Sequence, residues 1–377
     1  VVEIATQKVG QRRSAWNLSM YHGLSISDAA RHLVRKISRS RHQAKIPVPK
    51  LAATQDSTQR PPTAWFICPD FERPSGGIRK LYRSVDILND AGLQAAIVRE
   101  RAGLSFTWFE HQTRIVCSSR VVVSQRDVIV VPEIYGGSIR DLPRGVRQVI
   151  FNQGAYLMLD SFAREPGATA PYIDNPDLAA VLVVSKDSAA VVKYAFPGIP
   201  VHRVRQGLNQ TLHHPPTGGK LRRIAYMPRR RAHEAACVLE LLKLRGVLHD
   251  WEVIAIDQRT EAEVADLLRT AQIFLSFSRL EGFGLPALEA LACGCLVIGY
   301  HGFGGREFFR PPFAVAIEDG DVVAFAQAVE SVIGLIDSEP MNMTAAGAAG
   351  ASFVQEQYSL EAEREDLLDV FVPLLKP

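Results

Sequence analysis

The sequence predicts an α/β protein made of two parallel-sheet halves, and three observations carry the prediction. After an opening Trp65-Phe66-Ile67-Cys68-Pro69, short apolar runs at 95–98, 127–131, 149–151 and 181–184 are separated by stretches long enough for helices or loops, the spacing of parallel strands with crossovers. A second series at 223–227, 251–256, 271–277 and 296–300 follows the breaker-rich Pro215-Pro216-Thr217-Gly218-Gly219. Strand, glycine turn and helix recur in the same order in both halves. With 377 residues, 47% hydrophobic and 22% charged, the chain is long enough for two cores, and no repeat of solenoid period runs through it.

Residues 1–62 are expected to form a basic helical extension and a linker. Residues 1–60 carry eleven Lys/Arg against Glu3, Asp28 and Asp56, a net charge of +8 that leaves −5 for the remainder. Ile26, Ala29, Ala30, Leu33, Val34 and Ile37 recur at helical spacing after a capping Ser25 or Ser27, and Arg31, Arg35, Lys36 and Arg39 dominate the remaining surface. Such a helix either packs its apolar stripe on the body of the protein or lies on an anionic membrane surface through residues 26–41. Residues 46–63, which carry proline, serine and threonine, read as the linker.

The first half, 63–212, continues from its opening strand into Pro74-Ser75-Gly76-Gly77-Ile78-Arg79-Lys80 and an amphipathic helix through Leu81, Val85 and Leu88. Gly76 and Gly77 suit a turn where the backbone bends or a ligand comes close. Arg79 and Lys80 fall in the first helical turn and read as solvated charges. Glu133 ends another strand on the same side, as a sugar or acceptor contact or simply as a loop acid.

In the second half, 213–358, Tyr226-Met227-Pro228-Arg229-Arg230-Arg231 follows the first strand. Guanidinium forks match phosphate oxygens; a solvated basic turn is the plainer alternative. The run AQIFLSF at 271–277 reads as a buried strand, after which Gly282 and Gly284 make a turn and Pro286 starts a helix near Leu285. The N–H groups at that helix start lack intrahelical partners and face any anion over the turn, such as a diphosphate. Glu289 sits about one turn inside, among Ala287, Leu288, Ala290 and Leu291, where burial is expected. A buried carboxylate needs a partner, either a structural ion pair, helix N–H groups or a ligand. The strand at 296–300 and His301-Gly302-Phe303-Gly304-Gly305-Arg306-Glu307 repeat the strand-to-turn order, and ligands in open α/β sheets bind over such strand ends. Gly282-x-Gly284-x-x-Ala287 also fits the G-x-G-x-x-A dinucleotide fingerprint. That fingerprint wants an acid closing the next strand, where this chain has Tyr300-His301. The end of the chain, 359–377, reads as a helix.

The frame Ser278-x-x-Glu281-Gly282-Phe283-Gly284-Leu285-Pro286-x-Leu288-Glu289-Ala290-x-Ala292-x-Gly294 resembles the signature of retaining GT-B glycosyltransferases with the E-x7-E motif, the family 4-like group. The resemblance is specific over 271–307 and looser over the rest of 64–377. It implies two Rossmann-like domains facing each other across a cleft, an acceptor-side domain and a nucleotide-sugar domain, with the C-terminal helix crossing back to the first. It further implies that Glu281 lies near the sugar hydroxyls and Glu289 on the nucleotide ribose, with Gly282, Phe283, Gly284 and Leu285 forming the donor-binding turn. Gly76 and Gly77 resemble the loop that covers the donor diphosphate and sugar. Relatives carry an arginine and, about five residues later, a lysine after the first strand of the second domain. Position 234 here is Glu234, so Arg229, Arg230 and Arg231 are expected to supply the charge. Many relatives also have a histidine where this chain has Asn152 and Gln153, amides that donate to a sugar hydroxyl but cannot serve as a base. That suits retention in which the departing phosphate takes the acceptor proton. Residues 74–88 with Asn152-Gln153 resemble bacterial surface-polysaccharide rhamnosyltransferases, which implies a dTDP-rhamnose donor and a glycan or lipid-linked acceptor. The alternatives are a nucleotide-sugar epimerase on the same fold and a non-catalytic nucleotide- or glycan-binding protein. Intact Glu281 and Glu289 argue against the latter, and the missing histidine and lysine keep it open.

No metal or bound cofactor is expected. Asp319-Gly320-Asp321 reads as a surface turn rather than a metal-binding D-x-D, and His213-His214 has no partners at zinc spacing. Five cysteines without C-x-x-C spacing, no apolar run near the roughly 18 residues of a membrane span and no signal-peptide core lead to the expectation of a cytoplasmic protein, peripheral at the membrane if the basic helix binds it. Nucleic acid is not an expected partner.

Overall fold

The computed structural model describes residues 46–55, 60–71, 75–101, 103, 109, 111–163, 167 and 169–376. The basic helix expected at 26–41 lies outside the described residues. In the first half the chain runs β1 (Ala52–Ala53), β2 (Thr63–Ile67), α1 (Gly76–Asp90), β3 (Gln94–Arg99), β4 (Ile115–Cys117), β5 (Val122–Val123), β6 (Val128–Pro132), β7 (Arg147–Asn152), α2 (Ala155–Ala163), β8 (Leu178–Val183), α3 (Lys186–Ala195) and β9 (Val201–Arg203). The second half contains β10 (Leu221–Tyr226), α4 (Ala232–Leu244), β11 (Glu252–Ala255), α5 (Glu261–Thr270), β12 (Ala271–Phe277), α6 (Leu285–Ala292), β13 (Leu296–Tyr300), β14 (Ala314–Ala316), α7 (Val322–Ser338) and α8 (Pro340–Gln357), before the terminal α9 (Leu360–Leu375).

Every residue of β2, β6 and β13 is buried, because a parallel sheet covered by helices on both faces leaves neither face to water. The first sheet has the order β4-β3-β2-β6-β7-β8-β9 and the second β11-β10-β12-β13-β14, each parallel throughout. Strand order reverses between β2 and β6 and again between β10 and β12. Crevices open at such switch points, outside the carboxyl ends of the strands. The turns carrying Gly76, Glu133, Arg230 and Glu281 all leave those ends.

One apolar cluster runs through both halves, from Phe66, Leu81 and Val85 to Phe283, Leu288 and Phe308. Helix α9 joins it, with the Phe371 ring 5.5 Å from that of Phe66. The helix is fixed there by a buried ion pair, Lys80 Nζ to Glu363 Oε1 at 2.6 Å, with both side chains at most 2% exposed. Arg83 Nε approaches the other oxygen at 3.1 Å, and the Gly207 N–H donates to it at 3.0 Å. Lys80, read from sequence as solvated, is instead the centre of this junction.

The expected linker also differs. Residues 46–55 lie along the first half: Val48 is buried, and β1 pairs in parallel with β5. Arg60 then donates to Asp127, whose carboxylate also accepts from the Thr63 N–H at 2.8 Å. Proline at 47 and 49 hid a strap that buries Val48 and Pro49 while Ala52 and Ala53 stay exposed. Among the described residues no helix is long and apolar enough to cross a membrane.

Removing one member of a buried ion pair leaves the other charge uncompensated. Glu363→Leu is therefore expected to cost about 3–5 kcal/mol. Lys80→Met combined with Glu363→Leu should regain most of that loss in urea unfolding; a double variant no more stable than the single would refute the account of the junction.

Candidate functional site

The turn after β12 is shaped by its glycines and by a second turn laid against it. Gly284 takes φ +94° as the N-cap of α6, and Leu280 is held at φ +46°. The Glu281 N–H donates to the Gly302 carbonyl at 2.8 Å, so the turns after β12 and β13 are joined backbone to backbone. A Cβ at Gly304 would stand 2.5 Å from the Glu281 carbonyl oxygen. Between these glycines Phe303 sits at φ +65°, unusual for a bulky residue, and its N–H is held by His301 Nδ1 at 2.9 Å. The result fixes Glu281 beside the N-terminus of α6.

The first half reaches this turn directly. A Cβ at Gly282 would lie 1.8 Å from the Gln153 carbonyl oxygen, and one at Gly76 would lie 3.2 Å from Leu285. Gln153 Nε2 donates to the Gly77 carbonyl at 3.1 Å, while its backbone N–H donates to Glu133 at 3.0 Å. Gly76, Gly77, Glu133, Gln153, Gly282, Gly284 and Leu285 are thus gathered at one place. Asn152 is not. It is fully buried, and its amide donates to Met158 Sδ at 3.1 Å and Tyr172 Oη at 3.3 Å. Successive side chains at a strand end point to opposite sides, so only Gln153 of the two amides meets the turn. Phe283 likewise packs inward, against the rings of Phe308 and Tyr358 at 5.3 and 5.4 Å, and offers the turn only its backbone.

The three arginines separate by partner. Arg230 Nη1 lies 3.1 Å from Glu281 Oε1, and Arg229 is exposed beside it. Burial raises the pKa of Glu281, and the charges of Arg230 and then Arg229 pull it back. Arg231, expected at the donor, is buried instead: it pairs with Glu234 at 2.6 Å and with Asp319, and lies 4.8 Å over the Tyr300 ring. Those contacts brace the second sheet and commit Glu234 as well as Arg231. Asp321 caps α7 through the Ala324 N–H at 2.9 Å, so both acids of Asp319-Gly320-Asp321 have protein partners. Among the described residues no group of three or more His, Cys, Asp or Glu is placed to hold a metal ion.

Glu289 is buried one turn into α6, and burial pushes its pKa up to about 7 against the pull of Arg79. The Arg79 Nη2 is 3.6 Å from it, and Nη1 is 2.5 Å from Glu261. Arg79, expected to be solvated, instead has partners across the molecule, and Glu261 carries no local signal of this role because it lies far from Arg79 in sequence. Glu133 is also buried, which lifts it to about 7 although the Gln153 N–H favours its charged form.

With this geometry in place, residues 250–347 match the family described as "Glycosyl transferases group 1". Over those residues the chain is similar to that family, and its two parallel-sheet halves have the GT-B architecture. The chain is 25% identical over 240 residues to an alpha-1,6-glucosyltransferase of Actinobacillus pleuropneumoniae, covering 60% of this chain and 70% of that protein. Over 115 residues it is 32% identical to a GDP-mannose-dependent monoacylated alpha-(1-6)-phosphatidylinositol monomannoside mannosyltransferase of Corynebacterium glutamicum, 29% of each chain. Among solved structures, sucrose-phosphate synthase of Thermosynechococcus elongatus superposes with a TM-score of 0.61 at 15% identity, over 84% of this chain and 99% of that one. That likeness is one of fold.

Burial makes Glu133 and Glu289 hold protons more tightly folded than unfolded, so the stability they contribute falls as pH rises from about 4.5 to about 7. Glu289→Gln and Glu133→Gln should each flatten that fall by up to roughly 3 kcal/mol. Urea midpoints at pH 5 and pH 8 measure it, and an unchanged difference in Glu289→Gln would show that its carboxyl is not shifted.

Proposed function

We propose that this protein is a glycosyltransferase that moves a sugar, with retention, from a nucleotide-diphosphate sugar to a hydroxyl of a glycan or lipid-linked acceptor. The observation that carries the reading is the pair Glu281 and Glu289 on either side of the α6 N-terminus, with Gly76, Gly77 and Gln153 of the other half against the same turn. The dependence of one relative on GDP-mannose and the glucosyl transfer named for the other support a nucleotide-sugar donor as a class. Within that class, dTDP-rhamnose is our first donor to test. Sugar epimerisation is the weaker reading, since both relatives are named as transferases.

In this reading Glu289 accepts hydrogen bonds from the ribose hydroxyls, and the diphosphate lies over Leu285 at the α6 N-terminus with Arg229 and Arg230 as counter-charges. Glu281 accepts from sugar hydroxyls. Gln153, held by Gly77 and by the buried Glu133, borders the sugar; Glu133 acts through it as a positioning residue. The bond from the sugar C1 to the phosphate oxygen breaks with its electron pair leaving on the diphosphate, and the acceptor oxygen bonds to C1 on the same face. The acceptor proton passes to the departing phosphate oxygen. Protein groups supply position and charge rather than a base, and the arginines and helix terminus provide the positive charge without a metal.

The two glutamates should differ in kind. Glu289→Gln is expected to weaken both free nucleoside diphosphate and sugar donor, whereas Glu281→Gln should leave nucleoside diphosphate affinity intact and lower turnover on the order of 100-fold. Calorimetry with UDP, GDP, ADP and dTDP, followed by transfer assays with the matching sugar donors, measures both. Normal transfer by both variants would end the assignment. Among the arginines, Arg230→Ala should cost about 1.5–3 kcal/mol of nucleoside diphosphate binding and barely affect nucleoside; a nucleoside diphosphate affinity that stays at the wild-type value would remove Arg230 from the site.

A further inference from the structure

The charge balance around the α6 turn leaves a gap that the first half fills. A donor diphosphate adds about two negative charges beside Glu261, Glu281 and Glu289. On the second half Arg231 is committed to Glu234 and Asp319, which leaves Arg229 and Arg230, the latter paired with Glu281. On α1, Lys80 and Arg83 are committed to Glu363. Arg79 is placed differently. It leaves the first turn of α1 and crosses to the second half, where its guanidinium lies 2.5 Å from Glu261 and 3.6 Å from Glu289. Glu261 is the firm partner of Arg79, whereas the 3.6 Å approach to Glu289 is longer than a hydrogen bond and burial drives Glu289 towards its neutral form, so Glu289 holds the guanidinium loosely.

The surroundings of Arg79 suit a phosphate. Gly76, at the start of the same helix, approaches Leu285, the first residue of α6. A cavity of about 20 Å³, room for about one water, is bordered by Gly76, Arg79 and Leu285 on one side and by Lys80, Arg83 and Glu363 of the α9 junction on the other. Arg79 and Leu285 of α6 line this one small space together. The Arg79 fork of N–H donors fits two phosphate oxygens at once.

We propose that Arg79 is a donor-binding residue: when the nucleotide sugar binds, ribose hydroxyls take over Glu289 and the Arg79 guanidinium turns from it to the diphosphate. In this way the first half contributes the cation that Glu234 does not supply. This rests on the donor-site reading of Glu289, and the experiment keeps the two apart.

Whichever of UDP, GDP, ADP and dTDP binds wild type most tightly is titrated, with its nucleoside, against Arg79→Ala, Arg79→Lys and Glu289→Gln. Arg79→Ala should weaken the nucleoside diphosphate roughly 10- to 100-fold and leave the nucleoside within about twofold, with Arg79→Lys recovering part of the loss. Equal weakening of both ligands would make Arg79 only a brace between the halves and overturn the proposal, as would unchanged affinity for both. Arg79→Lys, which keeps the charge near Glu261, serves as the test if the alanine variant does not fold: diphosphate and nucleoside affinities must then fall unequally. Loss of nucleoside binding in Glu289→Gln with Arg79→Ala unaffected would reject Arg79 alone. No binding by wild type, or full nucleoside affinity in Glu289→Gln, would reject the donor site itself.

Discussion

The backbone of Gly282 lying against the carbonyl of Gln153 is the contact on which the site depends. No side chain fits there, so the turn after β12 and the strand end after β7 meet at backbone distance. Everything reactive is hung from that meeting point: Glu281 one residue before it, the α6 N-terminus two residues after it, and Gln153 on the other side. The turn holds this shape because Gly302 and Gly304 let the following turn bond to it. Substituting any of these glycines would move charged groups by more than a hydrogen bond tolerates.

A second constraint is electrostatic. Carboxylates at 289 and 133 are buried and that at 281 is partly so, and desolvation raises all three pKa values. Two of them have arginines facing them, Arg230 for Glu281 and Arg79 for Glu289, while Glu133 is held by a backbone N–H. Acids that resist ionisation and arginines that face them form a site whose charges can be rearranged by an anionic ligand at modest cost. The buried Lys80–Glu363 pair is of another sort. It has hydrogen-bonded partners on all sides and joins α9 to α1, so it serves the frame on which the cleft is built.

Much of this was legible in the sequence because the decisive features are local. Unbroken apolar runs gave the buried strands, and Gly282, Gly284 and Pro286 gave the turn and the start of α6. What the sequence left open depends on distant partners or on register. Which of Asn152 and Gln153 faces the turn follows from the pleat at the end of β7, and a one-residue difference reverses it. Arg231 leaves the site because Asp319, 88 residues away, captures it. Arg79 enters the site because Glu261 and Glu289 are brought to it by packing of the two halves. The strands β4, β9 and β14 are three residues each, too short for a period to show. Residues 46–55 read as a linker because proline flanks Val48, yet that valine is buried against the first sheet.

The most direct test of the central claim, that the turn between Glu281 and Glu289 is a nucleotide-diphosphate site shared by both halves, is a crystal structure of the protein with a bound nucleoside diphosphate. The account predicts ribose hydroxyls within hydrogen-bond distance of the Glu289 carboxylate and the diphosphate over the Leu285 N–H at the start of α6. A nucleotide seated away from Glu289, or one whose phosphates leave the α6 terminus untouched, would contradict it.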